Sequence, residues 1–181
     1  AGNKSAYRQM AINIDGVEDC KVFPVWDGGG TVKLAIVAAN HTIPSSNFVD
    51  IVQTIIDPIT NSGEGIGLAP IGHSVTVVAP TKQDIDISAT LTLATGYTIG
   101  QLQSAIEEQI GNYLYQVQED FITDNTLIIY ISKVTAAILN VAQVENVSNL
   151  KINNSTSDLT INLTGTNVKY PMLNEVTLSE S

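Results

Sequence analysis

A chain of 181 residues and 19.3 kDa is long enough to bury about 70% of its unfolded surface in one core or two small ones. Its formal net charge of −10 comes from 8 basic and 18 acidic residues, with Arg8 the sole arginine, and this argues against a nucleic-acid footprint, which needs clustered cations against phosphate. Cys20 is the only cysteine, so an intrachain disulfide and a paired-cysteine metal site are excluded, and Cys20 is expected to be a small buried strand residue.

No run of 18 or more apolar residues marks a membrane span, and no basic-then-apolar leader opens the sequence. The chain starts at Ala1 instead of methionine and is expected to be a processed piece of a longer polypeptide. Only 14% of residues are charged, so the surface is rich in neutral Asn, Thr, Ser and Gln. Such a surface costs less to desolvate under a partner than one dense in Lys and Glu.

In chain order, Asn3 to Asn13 predicts a short helix with Ala6, Tyr7, Met10 and Ala11 as its apolar stripe, ended by Asp15-Gly16. Beginning so early, it is expected to be the end of a truncated element. Strands follow at Asp19 to Val25 and Thr31 to Ala39, split by Asp27-Gly28-Gly29-Gly30, a strong turn signal. Asn47 to Ile56 predicts a helix with Val49, Val52, Ile55 and Ile56 on one side, stopped by Asp57-Pro58. His73 to Val78 is a strand and Ala79-Pro80 a break.

Asp84 to Leu93 alternates, with Ile85, Ile87, Ala89, Leu91 and Leu93 on one side, the period of a strand with one wet face. Thr98 and Gln101 form a capping box ahead of a helix carrying Ile99, Leu102, Ile106, Ile110, Tyr113, Leu114 and Val117. Asn125 to Ile131 is a β-branched strand, and Ser132 is expected to cap a helix that buries Val134, Ala137, Ile138 and Val141. Strands at Val144 to Ile152, Asp158 to Leu163 and Glu175 to Leu178 close the chain. The fold class is α+β: two small α/β-sandwich-like units, 1–80 and 81–181, each a sheet with helices packed on one face.

Side chains suited to chemistry are sparse. Asp27 with its three glycines lacks the lysine and the following Ser or Thr of a phosphate loop, so it reads as turn geometry. Gly63 to Gly72 contains GEGIG without the strand-to-helix context of a dinucleotide fingerprint, and predicts an excursion that is packed or covered by a partner. His41 and His73, the only histidines, have no second histidine at ligand spacing and no G-x-S-x-G elbow to serve. Asp84 with Asp86, Glu107-Glu108 and Glu119-Asp120 are read as solvated acids, though a carboxylate pair can also hold calcium. No catalytic, cofactor-binding or metal residue is assigned, and no cofactor is expected. Sequons at Asn40, Asn146, Asn153, Asn154 and Asn162 carry weight only in a glycosylating compartment.

Certain stretches carry a family pattern. Asp15-Gly16-Val17, the run from Cys20 through Phe23-Pro24-Val25-Trp26-Asp27 to Lys33, Ile56-Asp57-Pro58, Gly65 to Gly72, and Val75 to Pro80 together resemble the baseplate J-like family, and the resemblance covers nearly the whole chain. That family comprises wedge components of contractile phage tails, among them Mu-type phages and defective prophage particles of Gram-positive bacteria. The resemblance implies a non-catalytic structural part of a virion tail baseplate or phage-like particle, assembled in the host cytoplasm. Implied partners are other wedge and tail-hub proteins and further copies of itself, with no nucleic acid and no membrane span. Residue by residue it carries over scaffold positions only: Gly16 and Gly28 to Gly30 as turns, Pro58 as a helix stop and Pro80 as a junction. Members are usually about twice this length, so the chain would be a middle and C-terminal portion.

Two other readings compete. A receptor- or carbohydrate-binding module would use Trp26, Tyr97 or Tyr170 as stacking platforms. A small hydrolase would use His73 or His41 with an acid. Asn153 to Ser157 and Gly165 to Tyr170 are expected to be exposed contacting loops.

Overall fold

The computed structural model describes residues 2–181, which divide into two compact units. The first holds residues 2–82 together with 121–125 and 162–170, and the second holds 83–120, 126–161 and 171–181.

In the first unit, helix α1 (Lys4–Ile12) is capped by Asn3, whose side chain accepts from the Ala6 amide at 2.8 Å. Strands β1 (Val17–Pro24) and β2 (Thr31–Ala38) pair antiparallel, with Val22 opposite Leu34 and Phe23 opposite Lys33. The glycine-rich turn between them matches the hairpin expectation: Thr31 Oγ1 donates to Gly28 O at 2.7 Å and accepts from Asp27 N at 3.0 Å. Gly30 sits at φ +79° with the Gly72 carbonyl where a Cβ would stand, so only glycine fits. Helix α2 (Ser46–Ile56) then returns the chain so that β3 (Ser74–Val78) lies parallel to β2, giving the order β1-β2-β3.

Alternation gives this sheet two different faces. One carries Cys20, Val32, Leu34, Ile36, Val75 and Val77, packed with Tyr7 and Ala11 of α1 and Val52 and Ile56 of α2. The other carries Lys21, Phe23, Lys33, Ala35 and Val37. It is met by the later segments, since Lys21 Nζ donates to Asp124 O at 2.7 Å and Lys33 Nζ to Gly165 O at 2.6 Å. Ala35 and Val37 are buried there, and Phe121 meets Tyr170 edge-on at 5.0 Å.

The second unit holds β4 (Thr81–Leu93) from Gln83 onward, α3 (Ile99–Asp120), β5 (Thr126–Ile129), α4 (Ile131–Leu139), β6 (Val144–Ile152), β7 (Leu159–Asn162) as far as Ile161 and β8 (Lys169–Glu180) from Pro171 onward. Its strands split into a three-stranded sheet, β6-β4-β8, and the pair β5-β7. The alternation expected for β4 is observed, with Ile85, Ile87, Ala89 and Leu91 all buried. Helix α3 buries Leu102, Ile106, Ile110, Leu114 and Val117. At its start Gln101 Oε1 accepts from Thr98 N at 3.0 Å, and Glu180 accepts from Ile99 N at 3.2 Å, which adds a carboxylate at a positive helix end.

Three expectations need correction. Ser132 does not cap α4: the cap position is Tyr130, and Asp158 from the stretch before β7 accepts from Ile131 N at 2.8 Å. Ile55 is not part of the buried stripe of α2; it is 40% exposed, because the inward face runs through Val49, Val52, Gln53 and Ile56. Strand β8 is three times as long as Glu175 to Leu178, and Pro171 does not break it because β8 lies at a sheet edge, where a missing N–H costs no ladder bond.

Candidate functional site

Helix α2 ends against the outer edge of β3, and there the side chains supply what a fourth strand would supply. Gln53 Oε1 accepts from Val77 N at 2.7 Å while its Nε2 donates to Val75 O at 2.9 Å and Asp57 O at 2.6 Å. Asp57 accepts from Val75 N at 2.8 Å, Ser62 Oγ at 2.6 Å and Gly63 N at 3.1 Å. Both residues are buried. An edge strand with unpaired amides invites pairing with another chain, and this network blunts it.

The Gly63 to Gly72 excursion closes on itself, Gly72 N donating to Gly63 O at 2.8 Å, and lies along the end of α2 through Leu68 N to Ile55 O at 3.1 Å and Ala69 N to Ile56 O at 2.8 Å. Only Ala69 of the excursion joins the first unit's core. Ile66, Leu68 and Ile71 are 63%, 49% and 81% exposed, beside Ile51, Ile55 and Ile59 at 55%, 40% and 78%. Six aliphatic side chains thus stand in solvent on α2, the turn that follows it and the loop that lies against its end.

The other candidates are occupied. His73 Nδ1 is 2.6 Å from the Tyr7 hydroxyl, with the two rings stacked, so its partner is a phenol and not the carboxylate a hydrolase needs. Burial, followed by the field of Asp57, raises the Tyr7 pKa. Cys20 is 1% exposed in β1, and burial raises its thiol pKa far out of the nucleophilic range. Asp86 accepts from the Asn174 amide at 2.7 Å, while Asn153 accepts from Asp86 N at 2.8 Å and donates to Asp84 O at 3.0 Å. No group of three or more His, Cys, Asp or Glu placed to hold a metal ion occurs among the described residues.

Two of the three stacking platforms are lost. Tyr170 is 1% exposed, and Lys33 Nζ lies 3.5 Å from the centroid of the Trp26 ring, covering a face a sugar would need. Gly165 abuts Trp26 so closely that a Cβ there would lie 2.6 Å from Trp26 Cβ. Asn153 to Ser157 is largely exposed as expected, but Gly165 to Tyr170 is not a free loop, since its two ends are packed into the first unit.

Lys21 escaped the sequence reading. Its residue is 3% exposed, its ammonium lies 5.3 Å from the Phe23 ring and 5.8 Å from the Phe121 ring, and burial lowers its pKa to about 8. Beside it runs a groove of about 300 Å³ lined by Lys4, Arg8, Gln9, Cys20, Lys21 and Asn125 among others. Arg8 is held by Asp19 in a bidentate pair at 2.7 and 2.8 Å. Because the folded state holds the Lys21 proton less tightly than the unfolded chain does, its penalty is fully present below pH 8 and fades between about 8 and 10.5. Wild-type stability is therefore expected to rise relative to Lys21→Met across that window, by on the order of 1–3 kcal/mol. Urea unfolding of both proteins at pH 7, 9 and 10.5 measures this; parallel pH profiles would refute it.

The arrangement is of scaffold type: the side chains of Gln53, Asp57, Lys21 and Lys33 are bonded to the protein's own backbone, and six of its exposed aliphatic groups lie on α2, the turn after it and the excursion against its end. Residues 1–79 match the Baseplate J-like central domain and residues 85–179 the Baseplate J-like protein C-terminal domain, and the chain belongs to the baseplate J-like family. It is 32% identical to the phage-like element PBSX protein XkdT of Bacillus subtilis over 180 residues, which cover 99% of this chain and 49% of that protein. It is 35% identical over 91 residues to baseplate protein gp47 of Escherichia phage Mu, covering 47% of this chain and 24% of gp47. The chain thus spans about half the length of the curated relatives that it matches over nearly its whole length. Its fold is similar to a chain in the cryo-EM structure of the anti-feeding prophage baseplate, with a TM-score of 0.53 at 13% identity, covering 91% of this chain and 36% of that one.

Proposed function

We propose that this chain is part of a non-catalytic wedge component in the baseplate of a contractile phage tail or tail-like particle. The observation that carries the reading is the succession of the two family domains along nearly the entire chain. The geometry is in keeping with it: Gln53, Asp57, Lys21 and Lys33 are committed to backbone groups of the fold, the use expected of a part that must hold its shape under load. In this reading several copies surround the tail hub, contact other wedge and hub proteins, and assemble in the bacterial cytoplasm. In this reading the junction between the two family domains lies near Pro80.

An in-frame deletion of the gene tests this. Electron microscopy of induced lysates is expected to show tails without baseplates, or no assembled sheathed tails, with recovery when the gene is restored in trans. Intact contractile particles from the deletion strain would overturn the reading.

A further inference from the structure

The exposed aliphatic group on α2 and the Gly63 to Gly72 excursion has a one-sided electrostatic setting. Between residues 34 and 81 the sequence contains no lysine and no arginine. Its acids are Asp50, Asp57 and Glu64; Asp57 is buried in the β3 edge network, which leaves Asp50 and Glu64 exposed beside Ile51, Ile66 and their neighbours. Elsewhere in the unit Arg8 is held by Asp19, and Lys21 and Lys33 donate to Asp124 O and Gly165 O; Lys4, Lys82 and Lys169 also lie outside this stretch.

We propose that this surface is a docking site for a different polypeptide, one that presents an apolar ridge edged by lysine or arginine. The assignment rests on the assembly reading above and specifies the partner's chemistry. Clustered exposed aliphatics mark an interaction surface when they are contiguous, and here backbone bonds from Leu68 and Ala69 fix the loop against the helix end that carries Ile55. A second copy is a poor occupant. A two-fold contact would place each copy's Asp50 and Glu64 around the same apolar centre with no lysine or arginine from residues 34–81 of either copy, and like charges at an interface rim act against association. A partner with basic groups at those rim positions gains from the same two carboxylates.

The test is site-specific photocrosslinking in intact tail particles, with a benzophenone amino acid replacing Ile59 or Ile71, the two most exposed members. Mass spectrometry of the adducts is expected to identify a different polypeptide, joined at a segment where aliphatic residues are flanked by Lys or Arg. The double substitution Asp50→Lys with Glu64→Lys is expected to lower adduct yield about tenfold or more without altering the melting of the isolated protein, since both side chains are exposed. Adducts to a second copy, to another part of the same polypeptide or to a segment without basic residues would overturn the assignment, as would an unchanged yield in the double variant. Particles that contain the protein but yield no adduct would also overturn it while leaving the assembly reading intact. Particles that lack the protein would remove the assembly reading and the docking assignment with it.

Discussion

Asp57→Ala is expected to lose about 3–5 kcal/mol of stability, enough to leave a domain of ordinary stability marginal. The carboxylate sits 2% exposed and satisfies three donors from three places: the Val75 amide of β3, the Ser62 hydroxyl and the Gly63 amide. Alanine removes every acceptor at once and leaves the Val75 N–H buried without a partner, the costly side of the hydrogen-bond asymmetry. Asp57→Asn keeps the shape and one acceptor oxygen but turns an amide toward donors, so an intermediate loss of about 1–2 kcal/mol is expected. Urea midpoints at constant m-value measure both. A loss below about 1 kcal/mol in Asp57→Ala would show that solvent replaces the carboxylate and that the edge of β3 is not sealed.

The second large effect is expected at Gly67, for a steric reason and not for a left-handed backbone. A Cβ there would fall onto the Ile56 carbonyl oxygen and 2.8 Å from that of Ile55, the same two acceptors that hold Leu68 and Ala69. Backbone cannot yield as a flexible side chain can, so Gly67→Ala must lift the excursion and break both bonds, at about 3 kcal/mol. Amide exchange of Leu68 and Ala69 is expected to accelerate at least about 50-fold, with faster proteolysis between Ile59 and Gly72. Gly29→Ala is the control: nothing lies within 4 Å of its Cβ position, and its stability should stay within about 0.5 kcal/mol of the parent. Equal exchange rates in the two variants would mean that the loop is not held by those bonds.

What could be read from the sequence was what local periodicity encodes. The stripe of α3 and the alternation of β4 each follow from side chains a few residues apart, and both were legible. The glycine turn was legible too, though its left-handed positions include Val25 at φ 55°, which no β-branched residue advertises. The features that failed to show are long-range. Lys21 reads as a solvated strand residue because its acceptor lies 103 positions away, and the acid that serves α4 lies 27 residues beyond Ile131.

Gln53 left a usable signal. It is a polar residue on the face shared by Val49, Val52 and Ile56, where a side chain must find a partner or turn outward. Ile51 and Ile55, four apart on α2, likewise marked a second apolar stripe that the first stripe could not absorb. Asparagine placement was opaque for another reason. Asn40, Asn153 and Asn154 match a glycosylation pattern, but each takes a positive φ, a backbone service that this residue type performs more readily than most.

The far face of the β1-β2-β3 sheet has a consequence for the timing of synthesis. Its cover comes from residues 121–125 and 162–170, so a nascent chain that has emerged only through β3 still shows water the side of the sheet that carries Phe23, Ala35 and Val37. The ribosome must deliver most of the polypeptide before that side is shielded. Until then, sticky intermediates are guarded only by chaperones and by the lysines that interrupt the apolar surface.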